Sequence, residues 1–330
     1  MSAANPSATP TGANPIAAIA AQAGFMIVDG ALATELERLG CDLNDALWSA
    51  RVLREAPERI RDVHRTYFEA GADVAITASY QATREGFMRA GLEAAEADAL
   101  IQRSVTLAKE ARDACWAAHA DASRPYPLVA ASVGPYGAFL ADGSEYRGDY
   151  AIGRAALAEF HRPRLRTLLE AGPDLLAVET LPSLEEALAV AGLLPDLSTV
   201  PAWFTFSARD EGHISDGTPI ERCGEALEAL PGVAAIGINC TALAHIESLV
   251  TRLRGVTQLP IIVYPNSGEH YDPVTKTWHA GCAHAPAPRD LAEGLPRWLA
   301  AGASAIGGCC RTGPEDIGAL ARARRARMPG

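Results

Sequence analysis

The sequence predicts a single closed (β/α)8 barrel, and three observations carry that prediction. Eight short apolar runs rich in β-branched residues recur along the chain, and stretches with helical spacing separate them. The chain has 330 residues, which suits a barrel of about 250 residues with insertions.

In order, the runs are Phe25–Asp29, Asp73–Ala78, Leu128–Val133, Leu175–Val178, Ala202–Phe206, Val233–Ile238, Ile261–Tyr264 and Ser304–Ile306. Nearly all are continuous rather than alternating, as parallel strands buried on both faces require. The helical stretches make βα units of them. Leu92–Ala114 is one such stretch; Ser183–Leu194 is another and opens with the capping box Ser183-Leu184-Glu185-Glu186. Glycine or proline marks the passage from helix to strand at Ala70-Gly71-Ala72, Ala171-Gly172-Pro173 and Ala301-Gly302-Ala303. A count of eight selects the closed barrel; an open doubly wound sheet is the alternative. No G-x-G-x-x-G follows the first strand, which argues against a dinucleotide site. Met1–Ala20 is mostly small and polar and reads as a disordered lead-in, so 21–330 forms one barrel domain.

Hydrophobic residues make up 48% and charged residues 21%, the composition of an ordinary globular protein. A net charge of −11 argues against a nucleic-acid partner. No apolar run is long enough to span a membrane, and no charged segment opens a secretory signal. The seven cysteines are odd in number, which fits a reducing, cytoplasmic compartment better than a disulfide framework.

In such barrels chemistry sits at the C-terminal ends of the strands. Here those ends read Asp29-Gly30, Thr77-Ala78-Ser79-Tyr80, Ser132-Val133-Gly134, Glu179-Thr180, Ser207, Asn239-Cys240, Pro265-Asn266-Ser267 and Gly307-Gly308-Cys309-Cys310. Cys240 ends the sixth strand; Cys309 and Cys310 follow the eighth. The barrel can bring the three together, and three thiolates suit zinc. Buried core cysteines or a strained vicinal disulfide are the alternatives. Adjacent residues on a regular strand face opposite sides, so the strand must end at or before Cys309 for both to share one ion. A zinc with three thiolates is a poor Lewis acid but a good seat for a fourth thiolate, which remains nucleophilic. Alkylation of a bound thiol is the chemistry that follows.

These motifs resemble those of the homocysteine S-methyltransferases from about Phe25 to Ala319. They include Asp29-Gly30-Ala31-Leu32-Ala33-Thr34-Glu35-Leu36, Ser132-Val133-Gly134-Pro135-Tyr136-Gly137, Glu179-Thr180-Leu181-Pro182, Gly237-Ile238-Asn239-Cys240 and Gly307-Gly308-Cys309-Cys310-Arg311-Thr312. The stretches Leu47-Trp48-Ser49-Ala50 and Ala141–Tyr150 are most similar to bacterial members that use S-methylmethionine. The resemblance implies Zn2+ on Cys240, Cys309 and Cys310, with homocysteine supplying a fourth sulfur. It implies that Asp29 and Glu179 hold the homocysteine ammonium. Trp48 matches an aromatic near the substrates, and Tyr80 matches a tyrosine that can occupy the fourth metal position. Thr77 and Asn239 complete the substrate-binding set. The donor would be S-methylmethionine or S-adenosylmethionine, bound directly by the barrel.

Blander roles stand beside these. Asp29 and Glu179 can cap helices, Asn239 can support its loop, Asn266 and Glu269 can build a turn, and Arg311 can pair with a carboxylate. His270 and His279 read as surface positions, and Cys41, Cys115, Cys223 and Cys282 as bystanders. Two other functions compete: methylation of a selenol or another thiol, and non-catalytic metal or thiol binding.

Overall fold

The computed structural model describes residues 14–43, 49–120, 124–267, 270–272, 277–279 and 289–327. Among these, eight strands form one parallel sheet. They are β1 (Met26–Ile27), β2 (Val74–Ile76), β3 (Leu128–Val133), β4 (Leu175–Leu181), β5 (Ala202–Phe206), β6 (Val233–Asn239), β7 (Ile261–Tyr264) and β10 (Ala303–Ile306). Their order is β1-β10-β7-β6-β5-β4-β3-β2. A parallel bridge between Val28 and Val74 joins the two ends, with Asp29 N–H donating to Val74 O at 3.1 Å and Asp73 N–H to Ile27 O at 2.7 Å. The predicted barrel is therefore closed. Each predicted apolar run falls on one of its strands, with β4 running three residues further, to Leu181, and β6 and β10 each one residue longer.

The strands' period of two sorts their side chains. Met26, Val74, Ala130, Ala177, Trp203 and Ile262 fill the interior. Ile27, Val129, Val178, Phe204, Ile236 and Val263 pack outward against the helices. This explains the continuous apolar runs, because both faces of every strand are covered.

The lead-in ends earlier than the sequence predicts. Pro15–Ala23 is a helix, started by Asn14, whose side chain accepts from the Ile16 and Ala17 amides, and by proline in its first turn. Ile16 is wholly buried and Ile19 nearly so, both in the interior cluster, and Asn14 Nδ2 donates to Ala234 O at 2.6 Å. The helix plugs the base of the barrel with the two large apolar residues of a segment otherwise made mostly of alanine. A second addition is the antiparallel hairpin of β8 (His270–Asp272) and β9 (Thr277–His279), where the sequence reads as loop.

The base is also locked by charge. Asp73, just before β2, accepts from Ile27 N–H at 2.8 Å and pairs with Arg324 of the helix Pro314–Arg327. Arg324 also donates to Phe25 O at 3.1 Å. Asp174, just before β4, similarly accepts from Val129 N–H at 2.8 Å and from Arg112 at 2.8 Å.

Candidate active site

The glycines before the thiols explain how both adjacent cysteines face one point. β10 ends at Ile306, and the chain then runs on as Gly307-Gly308 between β1 and β7. Gly307 N–H donates to Val263 O at 2.9 Å and Gly308 N–H to Asp29 O at 3.1 Å. A Cβ on Gly307 would lie 2.6 Å from Val28, and one on Gly308 would lie 2.2 Å from Thr312 Oγ1, so no side chain fits at either. Beyond them Cys309 N–H bonds Pro265 O at 2.7 Å, and Arg311 turns the chain with φ 63°. The strand has ended, so the alternation that would separate Cys309 from Cys310 no longer applies.

Cys240 reaches the same point from β6. It also has positive φ, 50°, a conformation that costs a residue with a side chain about 1 kcal/mol or more. The three sulfurs stand 2.8 Å (Cys240–Cys309), 3.6 Å (Cys240–Cys310) and 4.0 Å (Cys309–Cys310) apart. Tetrahedral zinc with sulfur at about 2.3 Å holds its ligands about 3.8 Å apart. Two separations match that value, and the third opens by about 1 Å to meet it. S–H donation from Cys309 and Cys310 pulls the Cys240 thiol below its ordinary pKa and raises theirs. The trio is thus set to carry negative charge and hold a cation. Among the described residues it is the one such group of ligands.

The acids sit beside the thiols. β4 carries a bulge between Val178 and Leu181, with Thr180 at φ 57°. The extra residue turns both Glu179 and Thr180 into the barrel mouth. Glu179 is buried and takes hydrogen bonds from Ser132 Oγ and, at 3.0 Å, from Tyr264 OH. Trp203 Nε1 (3.1 Å) and Thr205 Oγ1 (2.7 Å) support that phenol from below. Burial pushes Glu179 up to about 7 despite these donors, and the Cys240 charge adds to the rise. Asp29 accepts from Ile76 N–H at 2.9 Å through Oδ2, while its buried Oδ1 has no partner among the described residues. Burial raises its pKa well above the carboxylate range, and the charge of Glu179 contributes. A helix-capping role is not what the structure gives either acid.

Asn239 is wholly buried and bonds Thr180 twice, accepting from its N–H at 2.8 Å and donating to its Oγ1 at 2.7 Å. It therefore fixes the bulge. The Thr180 hydroxyl in turn bonds the Tyr80 phenol, which burial keeps protonated. Thr77 shares a hydrogen bond with Ser79 at 2.7 Å and accepts from Ser132 N–H at 3.0 Å, so its hydroxyl serves the floor of the site. Asn266 is buried, with Oδ1 unpartnered among the described residues. Trp48, Glu269 and Cys282 lie outside the described residues. Cys41, Cys115 and Cys223 are free and outside the trio, as the sequence predicts.

Sequence reasoning missed Ser132, Glu145, Tyr146 and Tyr264 as site residues. Tyr146 OH lies 3.7 Å from Cys240 Sγ. It and Glu145 occupy a 3-10 turn, Ser144–Tyr146, in the segment after β3. That segment is tied to the barrel by Glu186, which the predicted capping box assigns to its own helix. Ser183 does cap that helix, accepting from Glu186 N–H. The Glu186 carboxylate instead takes hydrogen bonds from Tyr136 N–H at 2.6 Å, Tyr150 OH and His161 Nε2 at 2.8 Å. Arg164 Nη2 donates to His161 Nδ1 at 2.7 Å and to Gly134 O at 2.5 Å, and Arg164 Nη1 donates to Tyr80 O at 3.3 Å. Since arginine only donates, His161 carries its proton on Nε2 and is neutral. One buried chain of bonds thus fixes both Tyr80 and the segment bearing Tyr146.

Known proteins share this architecture. The family model for homocysteine S-methyltransferase matches residues 26–324. Homocysteine S-methyltransferase YbgG of Bacillus subtilis is 55% identical, over 93% of this chain and 97% of its own. Selenocysteine methyltransferase of Astragalus bisulcatus is 45% identical, over 88% and 90%. The crystal structure of the metallated Escherichia coli homocysteine methyltransferase MmuM superposes with a TM-score of 0.84 at 50% identity, covering 94% of this chain and 99% of that one. With its thiol trio, its acids and its closed barrel, this chain belongs to the homocysteine S-methyltransferase family.

Proposed function

We propose that the protein methylates homocysteine to methionine, taking the methyl from S-methylmethionine, with S-adenosylmethionine as a second donor, and that Cys240, Cys309 and Cys310 hold zinc for this purpose. The observation that carries the reading is the convergence of three thiols and two buried carboxylates at one barrel mouth. Every ligand so invoked is cationic in part: the metal, the amino-acid ammonium and the sulfonium. Zinc in this seat supplies a fourth position where the homocysteine sulfur is kept deprotonated.

The protein's own groups do the rest. Asp29 Oδ1 and the Glu179 carboxylate receive the homocysteine ammonium, which restores the charge balance that burial denies them. The sulfur then lies at the thiol trio, under the phenols of Tyr80 and Tyr146, both kept protonated by burial. Its lone pair forms the new S–C bond as the methyl's bond to the donor sulfur breaks. That electron pair stays on the departing sulfur, which leaves as a neutral thioether. The leaving group needs no proton, so no general acid is required. The gain comes from thiolate formation and alignment. All six described cysteines are free, which suits a reducing, cytoplasmic compartment.

Turnover of homocysteine with a panel of sulfonium donors, alongside metal analysis, tests the reading. About one zinc per chain is expected. Cys309→Ala loses the metal and at least about 1,000-fold in activity, since it removes the groups that make the thiolate. Zinc-free protein at full activity overturns the proposal. A selenol acceptor is the second reading, favoured by the relative named as a selenocysteine methyltransferase. Competition between homocysteine and selenocysteine in one assay ranks the two.

A further inference from the structure

Glu145 is a carboxylate that the reaction described so far leaves idle. Its backbone is wedged in place. A Cβ at Gly137 would lie 2.3 Å from Glu145 N, so the turn seats against bare backbone, and Ser207 Oγ donates to Glu145 O at 3.3 Å. Its Oε2 is buried and has no hydrogen-bond partner among the described residues. Arg147, two residues on, bonds Asp149 at 3.2 Å and Asp142 O at 3.4 Å, and its charge only partly offsets the effect of burial on Glu145. The next residue, Tyr146, touches Cys240. Burial raises the Glu145 carboxyl to about 7, and the Cys240 charge contributes, which locates it in the same field as the thiols. A buried carboxylate oxygen without a donor is costly and marks a place where a ligand supplies one.

The barrel says which ligand. Asp29 follows β1, whereas Glu145 is held by Ser207 at the end of β5. In the strand order, β5 stands four places from β1 in either direction, so the turn that carries Glu145, although it belongs to the segment after β3, is seated on the wall opposite Asp29. An in-line methyl transfer places acceptor and donor sulfurs on opposite sides of the moving carbon. The amino-acid tails of the two substrates therefore diverge, and each needs its own ammonium anchor. We propose that Glu145 holds the α-ammonium of the sulfonium methyl donor, facing Asp29 across the mouth. This rests on the preceding reading of the donor as an amino-acid sulfonium. The ammonium keeps its charge throughout the reaction, so Glu145 binds ground state and transition state alike and governs KM rather than kcat.

The test is Glu145→Gln, which keeps the size and loses the charge, with Glu145→Asp as the variant that keeps the charge. Expected for Glu145→Gln are a melting temperature no lower than that of wild type, a KM for S-methylmethionine higher by about 10- to 100-fold, and a kcat and homocysteine KM within a few-fold of wild type. Glu145→Asp recovers part of the loss. A second arm measures inhibition by 4-dimethylsulfoniobutanoate, which is S-methylmethionine without its amino group. Its inhibition constant is the same in wild type and Glu145→Gln. An equal weakening of this compound, a rise confined to the homocysteine KM, or no change at all overturns the assignment. Methionine formation by the wild type is the control. Its absence overturns the earlier reading of the function, whereas its presence with an unaltered KM in Glu145→Gln overturns the role of Glu145 alone.

Discussion

The two ends of the barrel treat their acids in opposite ways. At the base, Asp73 and Asp174 precede strands and are each matched by an arginine and a backbone amide. At the mouth, Asp29 and Glu145 follow strands and each keeps a buried oxygen without a partner among the described residues. Backbone strain divides the same way. Of the four described residues other than glycine with positive φ, Thr180, Cys240 and Arg311 stand at or just beyond strand C-termini, and Ala141 lies in the segment that carries Glu145. The base is built to hold and the mouth to receive, and the stability the mouth forgoes is supplied from below.

Breaking the base has the largest expected effect on stability. Arg324→Met leaves Asp73 charged and buried, which costs about 3–5 kcal/mol in denaturant unfolding, while the kcat of the protein still folded is unchanged. The helical coat gives the next effect. His64 is buried with neither ring nitrogen bonded among the described residues, and burial lowers its pKa from 6.5 to about 4. The unfolded chain takes up a proton below about 6.5 that the folded protein refuses until about 4. Stability is therefore full above that upper value and falls by about 3 kcal/mol as pH drops to the lower one. In His64→Leu that part of the acid loss disappears from unfolding curves recorded between the two values.

The mouth responds in the other sense. Asp29→Asn keeps an acceptor for the Ile76 amide and removes a charge that burial disfavours. Homocysteine KM is expected to rise about 10- to 100-fold while stability at neutral pH rises by about 1 kcal/mol, a gain readable as a higher melting temperature. A loss of stability there would show that the mouth acid is structural after all. The smallest effect is expected at the tether between the two regimes. Tyr150→Phe removes one hydrogen bond to Glu186 and costs about 1 kcal/mol, and the loosened segment raises donor KM a few-fold.

How legible these features are follows from their range in the sequence. Strands covered on both faces write themselves as apolar runs, so the eight strands and the thiols at their ends can be read directly. The bulge at Thr180 cannot, because its cause is Asn239, two strands away. Glu186 follows the local rule for a capping box, and only the tertiary fold shows its side chain serving Tyr136, Tyr150 and His161 instead. Ile16 and Ile19 are visible as apolar residues, but nothing local tells that a barrel interior waits for them. Glu145 and Tyr146 lie on a turn without periodicity, and their meaning comes from Gly137 and Cys240, neither of them next to it in the chain.

The bond between Arg324 and Asp73 also sets a clock. Its partners are 251 residues apart, and the same guanidinium reaches Phe25, 299 residues away. The ribosome makes the first strand about 300 residues before the residue that fastens it. Until Arg324 is made the nascent chain carries strands whose seam cannot be secured, with apolar edges open to other chains. Closure of the ring thus waits for a residue made 251 positions after Asp73, and the interval before it is when this protein has most need of a chaperone.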